Sequence, residues 1–280
     1  MYNEHFGLRE APFGITPDTS FFYASSRYQE ALNTLLVAAR NGEGFIKLTG
    51  EVGSGKTLLC RKFLASLGKD YTTAYISNPF LEPRTLLMAL ADEFGVTLDK
   101  NVNQHRLLKS LTLALLNVAR KNKHALVCID EAQAMPLDTL EALRLLTNLE
   151  TEKIKLLQVV LVGQPELNQK LELESIRQLK QRITFQYHLG PLDEDELESY
   201  VAHRLTVAGY RGGRLFNKAA MRRLYTASNG FPRLVNILAH KAMMLAYGEG
   251  KGEVSDQHVK AAVADTPAIK KKPFWKWKLT

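Results

Sequence analysis

Residues 50–57, Gly50-Glu51-Val52-Gly53-Ser54-Gly55-Lys56-Thr57, carry the reading on which the fold depends. A glycine, four residues and then Gly-Lys-Thr is the spacing of a phosphate-binding turn. Upstream, Phe45–Thr49 is short and apolar enough to be a strand, and from Lys56 to Leu67 the pattern is helical. Strand, turn and helix in that order bring backbone N–H groups and the positive end of a helix onto an anion. Lys56 then reaches the outer phosphates of a triphosphate, and the Thr57 hydroxyl ligates magnesium. A glycine-rich turn without a ligand is the plainer reading; the agreement of motif and context weighs against it.

Working outward, four more runs read as strands: residues 72–77, 125–129, 156–162 and 183–188. They are short and mostly apolar, as expected of strands covered on both faces. Between them helices are predicted over 84–94, 103–122 and 137–150. In the 103–122 helix, Leu107, Leu108, Leu111, Leu115 and Val118 mark one buried face. Such alternation predicts an α/β fold with a parallel five-stranded sheet flanked by helices. After Gly190-Pro191 no further strand is evident, and helices follow over 194–208, 218–227, 232–247 and 255–264. Gly209, Gly230 and Gly248 punctuate their ends, and Ser255, with Gln257 and His258, reads as a capped start. The division expected is an α/β nucleotide-binding domain over 1–192, a small all-α lid over 193–265 and a basic aromatic tail over 266–280.

The run Ala125–Ile129 ends in Asp130 and Glu131. An acid at the carboxyl end of a parallel strand faces the crevice where such sheets bind ligands. Asp130 is expected to hold magnesium through water, and Glu131 to polarise an attacking water. That pair favours hydrolysis over nucleotide sensing, with a solvated strand end as the alternative. Gln164 is a candidate to orient the water or touch the γ-phosphate, against a turn residue in Gly-Gln-Pro-Glu. Asn78 stands between a contact to Glu131 and an ordinary Asn-Pro turn. Arg177 and Arg182 flank a short helix before the last strand, and a guanidinium suits the charge of phosphoryl transfer. Arg182, next to the strand, is favoured as an arginine finger into a neighbouring subunit; the alternative is a surface salt bridge. Arg233 follows Pro232 in the first turn of a helix, where a cation opposes the helix dipole. That mismatch points to a ligand or to a salt bridge.

Composition bounds the rest. With 45% hydrophobic residues over 280 positions, the chain can bury the core of an α/β domain and of a smaller second one. The net charge of +8 is concentrated at one end: Lys270, Lys271, Lys272, Lys276 and Lys278 leave only +3 for the other residues. A general nucleic-acid-binding surface is therefore not demanded. Cys60 and Cys128 sit in apolar runs and read as separate buried thiols of a reducing compartment, rather than as a disulfide or metal site. The first residues lack a basic stretch followed by an apolar run, and no stretch approaches the roughly 18 apolar residues of a membrane span. A cytoplasmic location is expected.

Beyond single motifs, FGLREAPFGITPDTSFFY (6–23), YQEAL (28–32), GFIKLTGEVGSGKT (44–57), CIDEAQ (128–133), VGQPEL (162–167), LKQRI (179–183) and NGFPRLVNILAHKA (229–242) together resemble the ExeA-type ATPases. These are the general-secretion ATPase A proteins and their relatives in pilus assembly. The resemblance implies an AAA+ P-loop NTPase fold, ATP and Mg²⁺ as bound species, ATP hydrolysis and homo-oligomerisation. It also implies a supporting role, with envelope-assembly proteins as partners, in building a secretin channel or a type IV pilus. On the family pattern Gln164 matches the sensor-1 position, Arg182 the finger and Arg233 the sensor-2 position. The resemblance also implies that the N-terminal aromatic–proline segment packs near the adenine. Secretion members continue into a membrane span and a peptidoglycan-binding region, whereas this chain stops soon after the lid, so peptidoglycan binding is not carried over. Its short form and tail are similar to the mannose-sensitive haemagglutinin pilus branch.

The tail interleaves its lysines with Phe274, Trp275 and Trp277. Lysines attract anionic headgroups and indoles favour the interface, so peripheral inner-membrane contact is one reading and a solvated or partner-docking tail the other. Two further function classes stay open. One is a DNA-transaction ATPase of the transposition-regulator type. The other is a scaffold that nucleotide binding assembles, with turnover incidental.

Overall fold

Val127-Cys128-Ile129 and Val159-Val160-Leu161-Val162 leave no charged side chain on either face, and strands of that kind must be covered on both sides. The computed structural model, which describes residues 2–97, 103–150, 155–267 and 269, places them at the centre of a sheet. In chain order the elements are α1 (Tyr2–His5), α2 (Ser26–Arg40), β1 (Phe45–Gly50), α3 (Lys56–Ser66), β2 (Tyr71–Ile76), α4 (Pro83–Glu93) and α5 (Gln104–Arg120). There follow β3 (His124–Ile129), α6 (Leu137–Leu146), β4 (Gln158–Gly163), α7 (Glu166–Leu171), α8 (Arg177–Lys180) and β5 (Ile183–Leu189). Last come α9 (Glu194–Val207), α10 (Lys218–Ser228), α11 (Pro232–Gly248) and α12 (Asp256–Ala264). The described residues within Ser26–Val52 and Lys56–Gly190 form one unit, and those within Met1–Ser25, Gly53–Gly55 and Pro191–Thr280 the other.

In the first unit the strands are all parallel, in the order β2-β3-β4-β1-β5. The predicted α/β fold is therefore observed, each strand lying within two residues of its expected bounds. Every residue of β4 is buried, as are nearly all of β3 and β1. Coverage on both faces does not extend to β5, where Thr184, Gln186 and His188 are exposed between half-buried neighbours. As an edge strand, β5 packs one face on α2, and Tyr187 donates to Glu30 at 3.0 Å. On α5 the buried stripe narrows to Leu107, Leu111 and Leu115, while Leu108 is 41% exposed and Val118 only half-buried. Cys60 and Cys128 are fully buried, as expected, and their Cα atoms stand 7.3 Å apart, beyond the span of an ordinary disulfide. The helix after the phosphate turn packs on the sheet, and the two side chains meet in that interface.

The second unit holds α9–α12 as expected, with capping boxes at Asp193–Glu196 and Ser255–His258. Gly209 and Gly230 take positive φ beyond α9 and α10; after α11 that role falls to Gly250, and Gly248 stays inside the helix. The 1–192 boundary needs correction at its start. Phe6, Leu8, Phe13 and Phe21 are buried in the core of the helical unit, beside Leu205 and Met243, so the N-terminal segment belongs with those helices. The tail at 268 and 270–280 lies outside the described residues.

Candidate functional site

β4 lies between β1 and β3, so the carboxyl ends of three parallel strands, at Gly50, Ile129 and Gly163, stand side by side. That edge is where open parallel sheets bind ligands. Lys56 opens α3, is buried, and donates through Nζ to the carbonyls of Gly50 at 2.7 Å and Glu51 at 2.9 Å. Burial pulls its pKa below the usual lysine value, and the charges of Glu131 and Asp130 partly oppose this. Thr57 Oγ1 donates to Asp130 Oδ2 at 2.6 Å, so the turn and the acid at the end of β3 are in contact.

Asp130 is only 3% exposed. Its Oδ2 also accepts from the Tyr75 hydroxyl at 3.0 Å, and Oδ1 accepts from the Glu131 N–H at 2.9 Å. Tyr75 was not anticipated. It lies in register with Cys128, but that becomes visible only when β2 and β3 are known to be neighbours. Its hydroxyl pKa is pushed up to about 12, by burial first and then by the adjacent Asp130 charge.

Glu131 has φ +54°, a left-handed conformation uncommon outside glycine and asparagine. The turn that follows (Ala132–Ala134) folds the chain back on the strand end. There Glu131 Oε2 accepts from two amides, Gln133 Nε2 at 2.6 Å and Gln164 Nε2 at 3.0 Å. Burial raises the Glu131 pKa, but the two amides and Lys56 outweigh it, and the net shift is downward. Gln164 thus meets Glu131, a contact the sequence reading named for Asn78 and not for Gln164. Gln133 was present in the quoted CIDEAQ motif, yet no role was assigned to it.

The other candidates separate. Asn78 Oδ1 accepts from the Phe80 N–H at 3.3 Å, which is the turn reading. Arg182 donates through Nη1 to the Arg144 carbonyl at 3.2 Å and Thr147 Oγ1 at 3.4 Å, and also to Asn148. That guanidinium caps the carboxyl end of α6, while Arg177 is exposed. In the helical unit, the Arg233 N–H donates to the Gly53 carbonyl at 3.2 Å. A Cβ on Gly53, whose φ is +79°, would stand 2.5 Å from Arg233 Cβ, so only glycine permits this approach. The Arg233 side chain is exposed and has no ion pair among the described residues.

Thr57 and Asp130 offer a hydroxyl and a carboxylate, the hard oxygen donors that magnesium takes. Among the described residues no group of three or more His, Cys, Asp or Glu gathers into a protein-only cage. An ion bound by one carboxylate, one hydroxyl, phosphate oxygens and water fits that donor set.

Residues 39–171 match the AAA domain family. Over 275 residues, 98% of this chain, the sequence is 42% identical to general secretion pathway protein A of Aeromonas hydrophila, of whose length the chain spans about half (50%). Solved structures of similar fold include the ORC2 protein of Aeropyrum pernix (TM-score 0.63, 20% identity, 89% of this chain and 72% of that one). Cdc6p of Pyrobaculum aerophilum is similar too (TM-score 0.68, 17% identity, 91% and 74%). So is the RuvB Holliday junction branch migration motor of Thermotoga maritima (TM-score 0.59, 17% identity, 90% and 73%). At these identities the structural likenesses speak for the fold. Strand order, phosphate turn and structural likeness agree on an α/β P-loop NTPase fold, with residues 39–171 matching the AAA domain family and nearly the whole chain similar to general secretion pathway protein A.

Proposed function

We propose that this protein binds ATP with Mg²⁺ and hydrolyses it, and that it does so in assembling a type IV pilus, of the mannose-sensitive haemagglutinin kind, or a secretin channel. The observation that carries the chemistry is the 2.6 Å contact between Thr57 and Asp130, beside a buried Lys56. The turn Gly50, Glu51, Val52, Gly53, Ser54, Gly55, Lys56 and Thr57 cradles the phosphates with backbone N–H groups and the start of α3. Lys56 leaves its two carbonyls for the β- and γ-phosphates. Thr57 and Asp130 hold the magnesium, whose contribution when bound is to neutralise charge on the phosphate oxygens. Glu131, kept ionised by its amide partners, accepts a hydrogen bond from the attacking water and aligns it; Gln164 orients the pair. Arg233, which has no ion pair among the described residues, keeps the phosphate-sensing role that the family resemblance gives it. Arg182, whose Nε and Nη2 have no partner among the described residues, serves a neighbouring copy as the finger.

The envelope role rests on the relationship to general secretion pathway protein A. It implies a homo-oligomer acting on pilus or secretion assembly proteins from the cytoplasmic side, with the tail as a peripheral membrane contact.

The test is a comparison of Lys56→Ala with Glu131→Gln. Lys56→Ala should weaken ATP binding by calorimetry on the order of 100-fold, the scale for losing one charged phosphate donor. Glu131→Gln should bind ATP as the wild type does while phosphate release falls roughly 100- to 10,000-fold. Undiminished binding in the first variant overturns the nucleotide site. Undiminished pilus assembly by the second reduces the protein to a nucleotide-gated scaffold.

A further inference from the structure

Gln133 takes part in more bonds at the sheet edge than the hydrolytic reading uses. Its Nε2 donates to Glu131 Oε2 at 2.6 Å, and its Oε1 accepts from the backbone N–H of Gln164 at 3.0 Å. Both ends of one side-chain amide are therefore spent, one on the acid after β3 and one on the residue after β4. The amide stands close above β4: a Cβ on Gly163 would lie 2.9 Å from Gln133 Oε1, so the strand ends in a residue that leaves this space open.

The backbone of Gln133 is fixed as well. Lys170 on α7 donates through Nζ to the carbonyls of Gln133 at 2.5 Å and Met135 at 2.6 Å. Lys170 is half-buried, and burial lowers its pKa, so its ammonium is spent on structure rather than on solvent. The bonds form a ring: Glu131 to Gln133, Gln133 to Gln164, and Gln164 Nε2 back to Glu131 at 3.0 Å. Glu131 itself sits in a strained left-handed conformation, which persists only where surrounding contacts determine it.

We infer that Gln133 is a positioning residue for the proposed hydrolysis, a bracket that fixes the Glu131 carboxylate in line with Gln164 across the ends of β3 and β4. The inference rests on the hydrolytic reading above. Gln133 does not meet the phosphates in this account, so its loss should fall on turnover and not on nucleotide affinity. A carboxylate freed to rotate spends less of its time aligned with water, and misplacement of a catalytic group by about 1 Å costs up to about 100-fold.

The test replaces Gln133 with Met, which keeps the length of the side chain and removes both polar ends, in the wild-type and Glu131→Gln backgrounds. In the wild-type background kcat for ATP should fall about tenfold or more, with KM, the ATP dissociation constant and the melting temperature nearly unchanged. In single-turnover measurements on Glu131→Gln, adding Gln133→Met should cost nothing further, because residues acting as one unit are not additive. Gln133→Ala, which removes the same donor and acceptor without filling the space, should match Gln133→Met. Wild-type turnover in Gln133→Met, a loss that multiplies with that of Glu131→Gln, or a loss tracking affinity or melting temperature would each overturn the bracket. Absence of ATP turnover in the wild type is a separate outcome: it overturns the hydrolytic reading itself, and the bracket with it.

Discussion

The sheet edge and the helical unit each bury a polar cluster, and they spend their hydrogen bonds differently. In the helical unit Arg204, 6% exposed, donates to the Pro12 carbonyl at 2.5 Å, the Tyr200 hydroxyl at 3.1 Å and the Gly14 carbonyl at 3.4 Å. Tyr200 donates to Asn236 Oδ1 at 2.8 Å, Asn236 donates to Gly14 at 3.1 Å, and the guanidinium lies 4.6 Å from the centre of the Phe21 ring. Every one of these groups closes on the protein itself. At the sheet edge, by contrast, two carboxylates are held by neutral donors (Thr57, Tyr75, Gln133 and Gln164), while Lys56 is turned to carbonyls. Acids and ammonium share the edge without forming an ion pair among the described residues. A closed cluster fastens a segment; an open one keeps charge for something else. On that difference we read the first as structural and the second as the proposed binding site.

The largest effect that tests the comparison is on stability. Arg204→Met leaves the Pro12 and Gly14 carbonyls without their donor in a buried place, and should cost about 2–4 kcal/mol in chemical denaturation. The N-terminal segment should become the first site of proteolytic cleavage. A variant as stable as the wild type that has lost ATP binding would show the helical cluster to be an open one, and the distinction would fall.

A middle-sized effect belongs to Tyr75→Phe. It removes one of the two side-chain donors to Asp130 Oδ2 and leaves Thr57 in place. ATP turnover should fall about three- to tenfold, with stability changed by less than about 1 kcal/mol. Because the Tyr75 pKa is pushed up to about 12, the hydroxyl stays protonated at all lower working pH, and the ratio of variant to wild-type rates should be flat with pH between about 6 and 9. A loss larger than that of Glu131→Gln would make Tyr75 a principal member of the site rather than a holder of Asp130.

The sheet edge was legible to the extent that its residues announce themselves at strand ends. Phe45–Gly50 and His124–Ile129 are apolar runs closed by a phosphate turn and by two acids, so their chemistry and their fold are written in the same residues. Tyr75 was not legible, because its place beside Asp130 follows from β2 lying next to β3, a fact of topology. Gln133 could be read as a letter of a motif, but its reach to Gln164 depends on the left-handed turn at Glu131. The helical cluster was hidden for a third reason. Arg204 and Tyr200 lie about 190 residues from Pro12 and Gly14, and local periodicity says nothing of contacts at that separation. The same blindness assigned residues 1–25 to the α/β domain.

The smallest effect is expected at Asn78, where the comparison can be sharpened most cheaply. Asn78 sits at the carboxyl end of an edge strand, near in sequence to a functional side chain, and the family of readings open to it included a contact with Glu131. Its Oδ1 instead accepts from the Phe80 N–H at 3.3 Å, and the residue is exposed. Glu131 Oε2 already has two amide donors, Gln133 and Gln164, so a third amide has little left to orient. Asn78→Ala should therefore leave ATP turnover within about twofold of wild type and cost a few tenths of a kcal/mol, the scale of a lost exposed turn bond. A fall comparable to that of Gln133→Met would mean that Glu131 exchanges partners during turnover and takes Asn78 as one of them. The sheet edge would then be open in a second sense, with its acid free to move between two sets of holders.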